Sequence, residues 1–231
     1  MSDSTETHGN LSSDCGRDIP IAIIGMGWRG PGDATNVQNF YELLAAAREA
    51  RVAAHEGKWN HEAFYHPESS RKGTSNVRAG HYFKNDLSLF DAPFFSMTDS
   101  EAACLDPQQR LLLETCYEAL ENGKAAGSDT SVFVSTFGAD YTDLLQKDPD
   151  SMPVYQATNS GYSRAIISNR LSHFFDFRGS SVTIDTACSG GLTALHLACQ
   201  SIRAGEVRQA VCGGASVILH PDQFISLSAM R

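Results

Sequence analysis

The stretch Val182-Thr183-Ile184-Asp185-Thr186-Ala187-Cys188-Ser189-Gly190-Gly191-Leu192 runs from β-branched residues, through a cysteine and two glycines, into a helical pattern. Val, Thr and Ile favour extended backbone. The thiol is thereby set where a strand hands over to a helix. The unpaired N–H groups and partial positive charge at a helix N-terminus favour thiolate over thiol. The same N–H groups can hold an oxyanion. The segment reads as an acyl-accepting cysteine nucleophile. The competing reading for any free cysteine is a buried, inert thiol. That reading, or plain exposure, suits Cys15, Cys104, Cys116, Cys199 and Cys212, around which no such signals converge.

Outward from this junction, strands and helices alternate. Ser181 to Thr186 is the strand leading in, and Gly191 to Ala204 the helix leading out, stopped by Gly205. Gln209 to Val217 is the next strand. Upstream, Ser163 to Phe175 is helical, with Ile167, Leu171, Phe174 and Phe175 on one side, and Ser131 to Phe137 is a strand. Asp106-Pro107 opens the clearest helix, since Asp suits the N-cap and Pro the first helical position. Leu111, Leu112, Cys116, Ala119 and Leu120 give it an apolar face, and Asn122-Gly123 ends it. Phe83 to Phe95 is apolar but broken by Pro93, and 49 to 80 read as a long irregular loop. Asn36 to Arg48 has helical spacing, and Ile19 to Met26, a continuous apolar run, reads as a buried strand. Residues 1 to 18 form a polar tail expected to be disordered. The sum is an α/β fold with a substantially parallel sheet and doubly buried strands. The small residues Gly190, Gly191, Ala194, Ala198 and Ala204 predict a helix buried on most sides, sandwiched between sheets.

Composition narrows the function classes. At 231 residues, 42% hydrophobic and 19% charged, the chain has enough material for a sizeable core. A net charge of −9 disfavours a nucleic-acid partner, and no basic run suits an anionic membrane. No run of 18 apolar residues occurs, so no membrane span is expected. Six scattered cysteines without a C-x-x-C argue against a disulfide scaffold or a zinc site. With no signal-like apolar segment in residues 1 to 18, a reducing, cytoplasmic setting is the expectation.

Several motifs are set aside on physical grounds. Gly25-Met26-Gly27-Trp28-Arg29-Gly30 matches a dinucleotide fingerprint, but Pro31-Gly32-Asp33 delays the helix that a pyrophosphate needs. These glycines read instead as a tight turn. His61 and His66 are one residue too far apart for a helical zinc pair, and His55, His61, His66 and His81 read as surface or loop residues. Thr186 is β-branched, where a hydrolase nucleophile elbow wants a small residue. Glu206 and His220 do supply the order nucleophile, acid, histidine. His196 lies roughly 12 Å along the helix from Cys188 and cannot reach it. His220, after the next strand, stays open as a base.

At Asp185-Thr186-Ala187-Cys188-Ser189 the chain resembles the β-ketoacyl synthase (ketosynthase) domain of polyketide and fatty-acid synthases. Asp106-Pro107-Gln108-Gln109-Arg110-Leu111, Ile21-Ala22-Ile23-Ile24-Gly25-Met26-Gly27 and Phe90-Asp91-Ala92-Pro93-Phe94-Phe95 resemble further family motifs in the right order. Asn169-Arg170-Leu171-Ser172 and Cys212-Gly213-Gly214-Ala215 fit as well. The likeness runs from about Ile19 to Arg231, so 19–231 reads as the N-terminal portion of a ketosynthase domain. Ser163 to Arg170 and Asn76-Val77-Arg78 are most similar to fungal, iterative, highly reducing polyketide synthases.

The resemblance implies a thiolase-like layered α/β fold of two similar halves, of which this truncated chain holds mainly the first. It implies an acyltransferase of the 3-oxoacyl synthase type and a homodimer. Cys188 would take an acyl group from the phosphopantetheine arm of an acyl carrier protein, its backbone N–H serving as one oxyanion donor. Malonyl-carrier would then lose CO₂ and its carbanion attack the acyl thioester. No cofactor is bound directly, the phosphopantetheine belonging to the carrier. The family's downstream histidines, in H-G-T-G-T and N-x-G-H contexts, do not occur before Ala229-Met230-Arg231. The helix-to-strand link at Glu121 to Gly127 is short for the family, and Ser189-Gly190-Gly191 replaces the commoner Ser-Ser-Ser or Ser-Gly-Ser. The isolated chain is therefore expected to be unable to condense. Two other readings remain: a non-catalytic remnant, or a cysteine acyltransferase or hydrolase that pairs Cys188 with His220.

Overall fold

The computed structural model describes residues 19–53, 59–123, 127–147, 150 and 163–230. The polar stretch 1–18, with Cys15, and His55 lie outside the described residues. In chain order the elements are α1 (Val37–Ala45), β1 (Val52–Ala53), α2 (His61–Phe64), β2 (Ala79–Gly80), α3 (Asp99–Cys104) and α4 (Pro107–Gly123). They continue with β3 (Thr130–Phe137), α5 (Asp140–Gln146), α6 (Arg164–Phe174), β4 (Ser181–Ile184), α7 (Gly190–Arg203), β5 (Gln209–Ser216) and α8 (Asp222–Met230). Local chemistry starts the helices where the side chains ask for it. Asn36 caps α1 by accepting the Asn39 N–H at 2.8 Å, and Thr98 caps α3 through Glu101. Asp106 Oδ1 accepts the Gln108 N–H at 2.8 Å ahead of Pro107. Among its described residues, the loop expected over 49 to 80 contains one antiparallel pair, β1 with β2, and the single turn of α2.

The sheet has the order β4-β3-β5, both pairings parallel. β3 is the centre, buried from Thr130 to Thr136, as a strand flanked on both edges and both faces should be. On one face α4 and α6 bring Leu112, Leu113, Cys116, Ile167 and Leu171 against Val132 and Val134. On the other, α7 sets Ala194 and Ala198 against Phe133 and Ile184. The Phe90–Phe95 segment closes the first core: Phe95 is buried and stacks on Phe90 at 5.0 Å, with Phe174 of α6 at 4.9 Å. Burial of each such side chain contributes about 1.5–3 kcal/mol.

Three expectations change. Ile19 to Met26 is not a buried strand. It is an irregular ribbon laid along the outer side of α4, with Ile23 72% exposed and Ile19, Ile24 and Met26 also turned outward. Gly25 and Gly27 of G-x-G-x-x-G do not make a turn, whereas Gly30 borders one, donating its N–H to the Ala34 carbonyl at 2.8 Å. A β-carbon on Gly25 would fall 1.9 Å from the Ala119 carbonyl oxygen, and one on Gly27 would fall 2.0 Å from that of Thr115, one helical turn earlier. Their bare α-carbons let the ribbon lie flat on the helix. Arg29 completes the contact by donating Nη1 to Glu118 Oε2 at 2.8 Å. Finally, α7 is buried on one face only, Leu192 being 75% exposed. Its small residues let it approach the sheet closely. β4 and β5, as edge strands, are correspondingly half-exposed.

Candidate active site

β4 delivers the chain to Asp185 and Thr186, a single 3-10 turn follows over Ala187–Ser189, and α7 starts at Gly190. The turn is built from its own side chains. Asp185 Oδ1 accepts the Ala187 N–H at 3.2 Å. Ser189 Oγ donates to the Thr186 carbonyl at 2.8 Å, and Thr193 Oγ1 donates to the Ser189 carbonyl at 3.1 Å. Ala187 takes φ 51°, a left-handed conformation uncommon for a residue with a β-carbon. The strained residue is thus the one before Cys188 rather than Cys188 itself, which separates this turn from a hydrolase elbow.

Cys188 is exposed at this junction. Its backbone N–H makes no hydrogen bond among the described residues. No side chain caps the head of α7. The helix head can sit against the sheet because its first residue is glycine. A β-carbon on Gly190 would meet Ser135 Cβ at 2.6 Å, and one on Gly214 of β5 would meet Ser135 Oγ at 2.6 Å. Ser135, Gly190 and Gly214 therefore stack, and they fix the thiol over the C-terminal end of β3. Beside the free edge of β4 runs a shallow groove of about 450 Å³, lined by Thr136, Arg164, Ser168, Asn169, Thr183 and Asp185.

The other thiols differ in setting. Cys104 and Cys116 are buried, and burial pushes the Cys116 thiol up to about 12. Cys212 reaches the surface from β5, yet packing around its sulfur, with Cys199 nearby, pushes it up too. His220 has both ring nitrogens engaged: Nδ1 faces Asp222 Oδ1 at 2.9 Å and Nε2 contacts Lys147 Nζ. No hydrogen bond joins it to Cys188. The two residues leave the sheet from β5 and β4, strands on opposite sides of β3 and therefore about 9–10 Å apart. His196 is exposed on α7. Among the described residues, no group of three or more His, Cys, Asp or Glu could hold a metal, and no helix is long and apolar enough to cross a membrane.

Two motifs read separately in the sequence are joined in space. Thr136 Oγ1 donates to Gln108 Oε1 at 3.0 Å, tying the start of α4 to the C-terminal end of β3. Arg170 donates Nε to the buried Gln109 Oε1 at 3.0 Å and pairs with Glu101 at 3.1 Å. Asp106 beneath them is buried, and desolvation raises its carboxyl against the lowering effect of the Gln108 hydrogen bonds. Sequence reasoning missed the pairing of Asp185 with Arg164 of α6. An acid two residues before a backbone N–H is an Asx-turn signal and pointed to half of it.

Residues 18–231 match the family model described as β-ketoacyl synthase, N-terminal domain. The chain belongs to the β-ketoacyl synthase family. It is 55% identical over 224 residues to the reducing polyketide synthase PKS1 of Cochliobolus heterostrophus, covering 95% of this chain and 9% of that protein. It is 56% identical over 218 residues to the highly reducing polyketide synthase tstA of Talaromyces stipitatus, covering 92% of this chain and 8% of that one. The chain thus spans about a tenth of the length of these curated relatives. The oxazolomycin ketosynthase domain OzmH KS7 of Streptomyces albus superposes with a TM-score of 0.78 at 34% identity, over 89% of this chain and 36% of that one. The ketosynthase fold is the thiolase-like α/β layering expected from the sequence. The sheet with α4 and α6 on one face and α7 on the other is the part of it described above.

Proposed function

We propose that Cys188 is the acyl-accepting nucleophile of a polyketide synthase ketosynthase, an acyltransferase acting on carrier-bound thioesters. The observation that carries this reading is the exposed thiol at the head of α7, beside its own backbone N–H, which makes no hydrogen bond among the described residues. The Cys188 thiolate attacks the carbonyl carbon of an acyl group on the phosphopantetheine arm of an acyl carrier protein. The Cys188 N–H, at the positive end of α7, faces the oxyanion that forms. The carrier C–S bond breaks, the carrier sulfur leaves and takes a proton, and the acyl group stays on Cys188. Ser189 does not compete, because its Oγ is occupied by Thr186. In the second half-reaction malonyl-carrier loses CO₂, and its carbanion displaces the acyl group from Cys188 as a β-ketoacyl-carrier. The histidines that serve this step in the family have no counterpart in these 231 residues. A homodimer and a cytoplasmic setting belong to the same reading.

The pairing of Cys188 with His220 as a hydrolytic dyad gains no support, since Lys147 and Asp222 already hold that ring. The test is mass spectrometry of the chain after incubation with an acyl-thioester donor and, separately, a malonyl-thioester. Acyl mass on the peptide containing Cys188, absent in Cys188→Ala, is the expected result. No adduct at Cys188 with any donor would overturn the loading role.

A further inference from the structure

The Asp185 carboxylate divides itself across the turn that carries the thiol. Oδ1 holds the Ala187 N–H at 3.2 Å, and Oδ2 is paired with the Arg164 guanidinium at the head of α6. Ala187, held at φ 51°, is the residue immediately before Cys188. Left-handed backbone at a residue with a β-carbon persists only where neighbouring groups enforce it. Of the side chains that build this turn, Asp185 is the one bonded to Ala187 itself, and Asp185 is in turn oriented by a side chain 21 residues away.

We propose that Arg164 is a positioning residue for Cys188: it orients Asp185 so that the carboxylate anchors Ala187 and leaves no uncompensated negative charge beside the thiol. This rests on Cys188 being the nucleophile, but its test does not require acyl transfer. Among the described residues, the elements packed around the turn bring few other ionisable groups. β3 carries none and β5 only Cys212, while α7 carries His196 and Cys199 before Arg203. On α6, Arg170 is turned to Gln109 and Glu101, and His173 sits in the last turn. Arg164 and Asp185 are thus the charge pair that the turn itself binds. Removing the cation leaves a carboxylate that disfavours thiolate, while removing the anion relieves the thiolate of a like charge.

The experiment is iodoacetamide labelling of Cys188 in the intact chain, followed by peptide mapping across a pH series. The variants are Arg164→Gln, Arg164→Lys and Asp185→Asn. R164Q is expected to slow labelling at neutral pH by about two- to fivefold and to move the rate–pH curve to higher pH. R164K is expected to restore both, because the charge returns. D185N is expected to move the curve to lower pH. Buried Cys104 and Cys116 report unfolding in the same spectra. If R164Q exposes them, the direction of the D185N shift decides. Curves that do not move, that move the same way in R164Q and D185N, or that R164K does not restore overturn the proposal. Labelling that follows the charges while no thioester acylates Cys188 removes the nucleophile reading and leaves the role of Arg164 standing. Acylation of Cys188 that ignores all three variants does the reverse.

Discussion

Cys188 touches little, so removing its sulfur should disturb the molecule little. Cys188→Ala is expected to change unfolding free energy by no more than about 0.5 kcal/mol, read in a denaturant titration, while abolishing acyl loading. Gly190→Ala adds one carbon two residues later and should do the opposite. Its β-carbon would land 2.6 Å from Ser135 Cβ, so the head of α7 must shift at a cost of about 1–3 kcal/mol. Asp106 gives a pH prediction. Burial raises its folded carboxyl above the unfolded value near 3.9, so the unfolded state releases this proton first. The stability tied to the protonated form is complete below that unfolded value and is lost as pH rises through the folded one. Asp106→Asn should flatten that part of a stability–pH curve, and a curve unchanged in the variant would count against the assignment. At this scale Cys188 was legible because its signals are adjacent in the chain. The Arg164–Asp185 pair was not, because its geometry is made by the packing of α6 against β4.

Element boundaries were legible where they rest on local chemistry. The Asp106-Pro107 start and the stop at Gly205 each act within a turn of the residues that reveal them, and α4 and α7 begin and end within a few residues of expectation, whereas α3, α5 and α8 were not foreseen. The Ile19–Met26 run misled because unbroken apolarity says nothing of what lies opposite, and here that is the polar outer side of α4. Ile23→Gln should therefore leave the unfolding midpoint within error, corresponding to a change below about 0.5 kcal/mol. Arg170→Ala, by contrast, severs the bonds to Gln109 and Glu101 and should cost about 1–3 kcal/mol, measured the same way. A near-neutral result would show that the link between the two motifs is incidental to stability.

Across the whole molecule, the alternation of strands and helices revealed the class, but not the order β4-β3-β5, since no residue pattern records which edge a strand will choose. The described surface carries several large apolar side chains, among them Ile23, Leu192, Leu227 and Met230, each more than half exposed. Exposed apolar side chains are sites for hydrophobic contact where they adjoin. The chain is expected to bind a hydrophobic dye such as ANS and to sediment with concentration-dependent mass, and an ideal monomer without dye uptake would contradict this. The sheet order also sets a timetable. β3 is the central strand, yet both of its partners follow it in the chain, and the later one ends roughly 80 residues downstream at Ser216. At bacterial-to-eukaryotic synthesis speeds of about 5–20 residues per second, a nascent chain emerges with β3 lacking one or both neighbours for about 4–16 s. Nucleation through such distant parallel contacts is slow. The most sheltered of the described strands is thus the one most in need of a chaperone while the chain is being made.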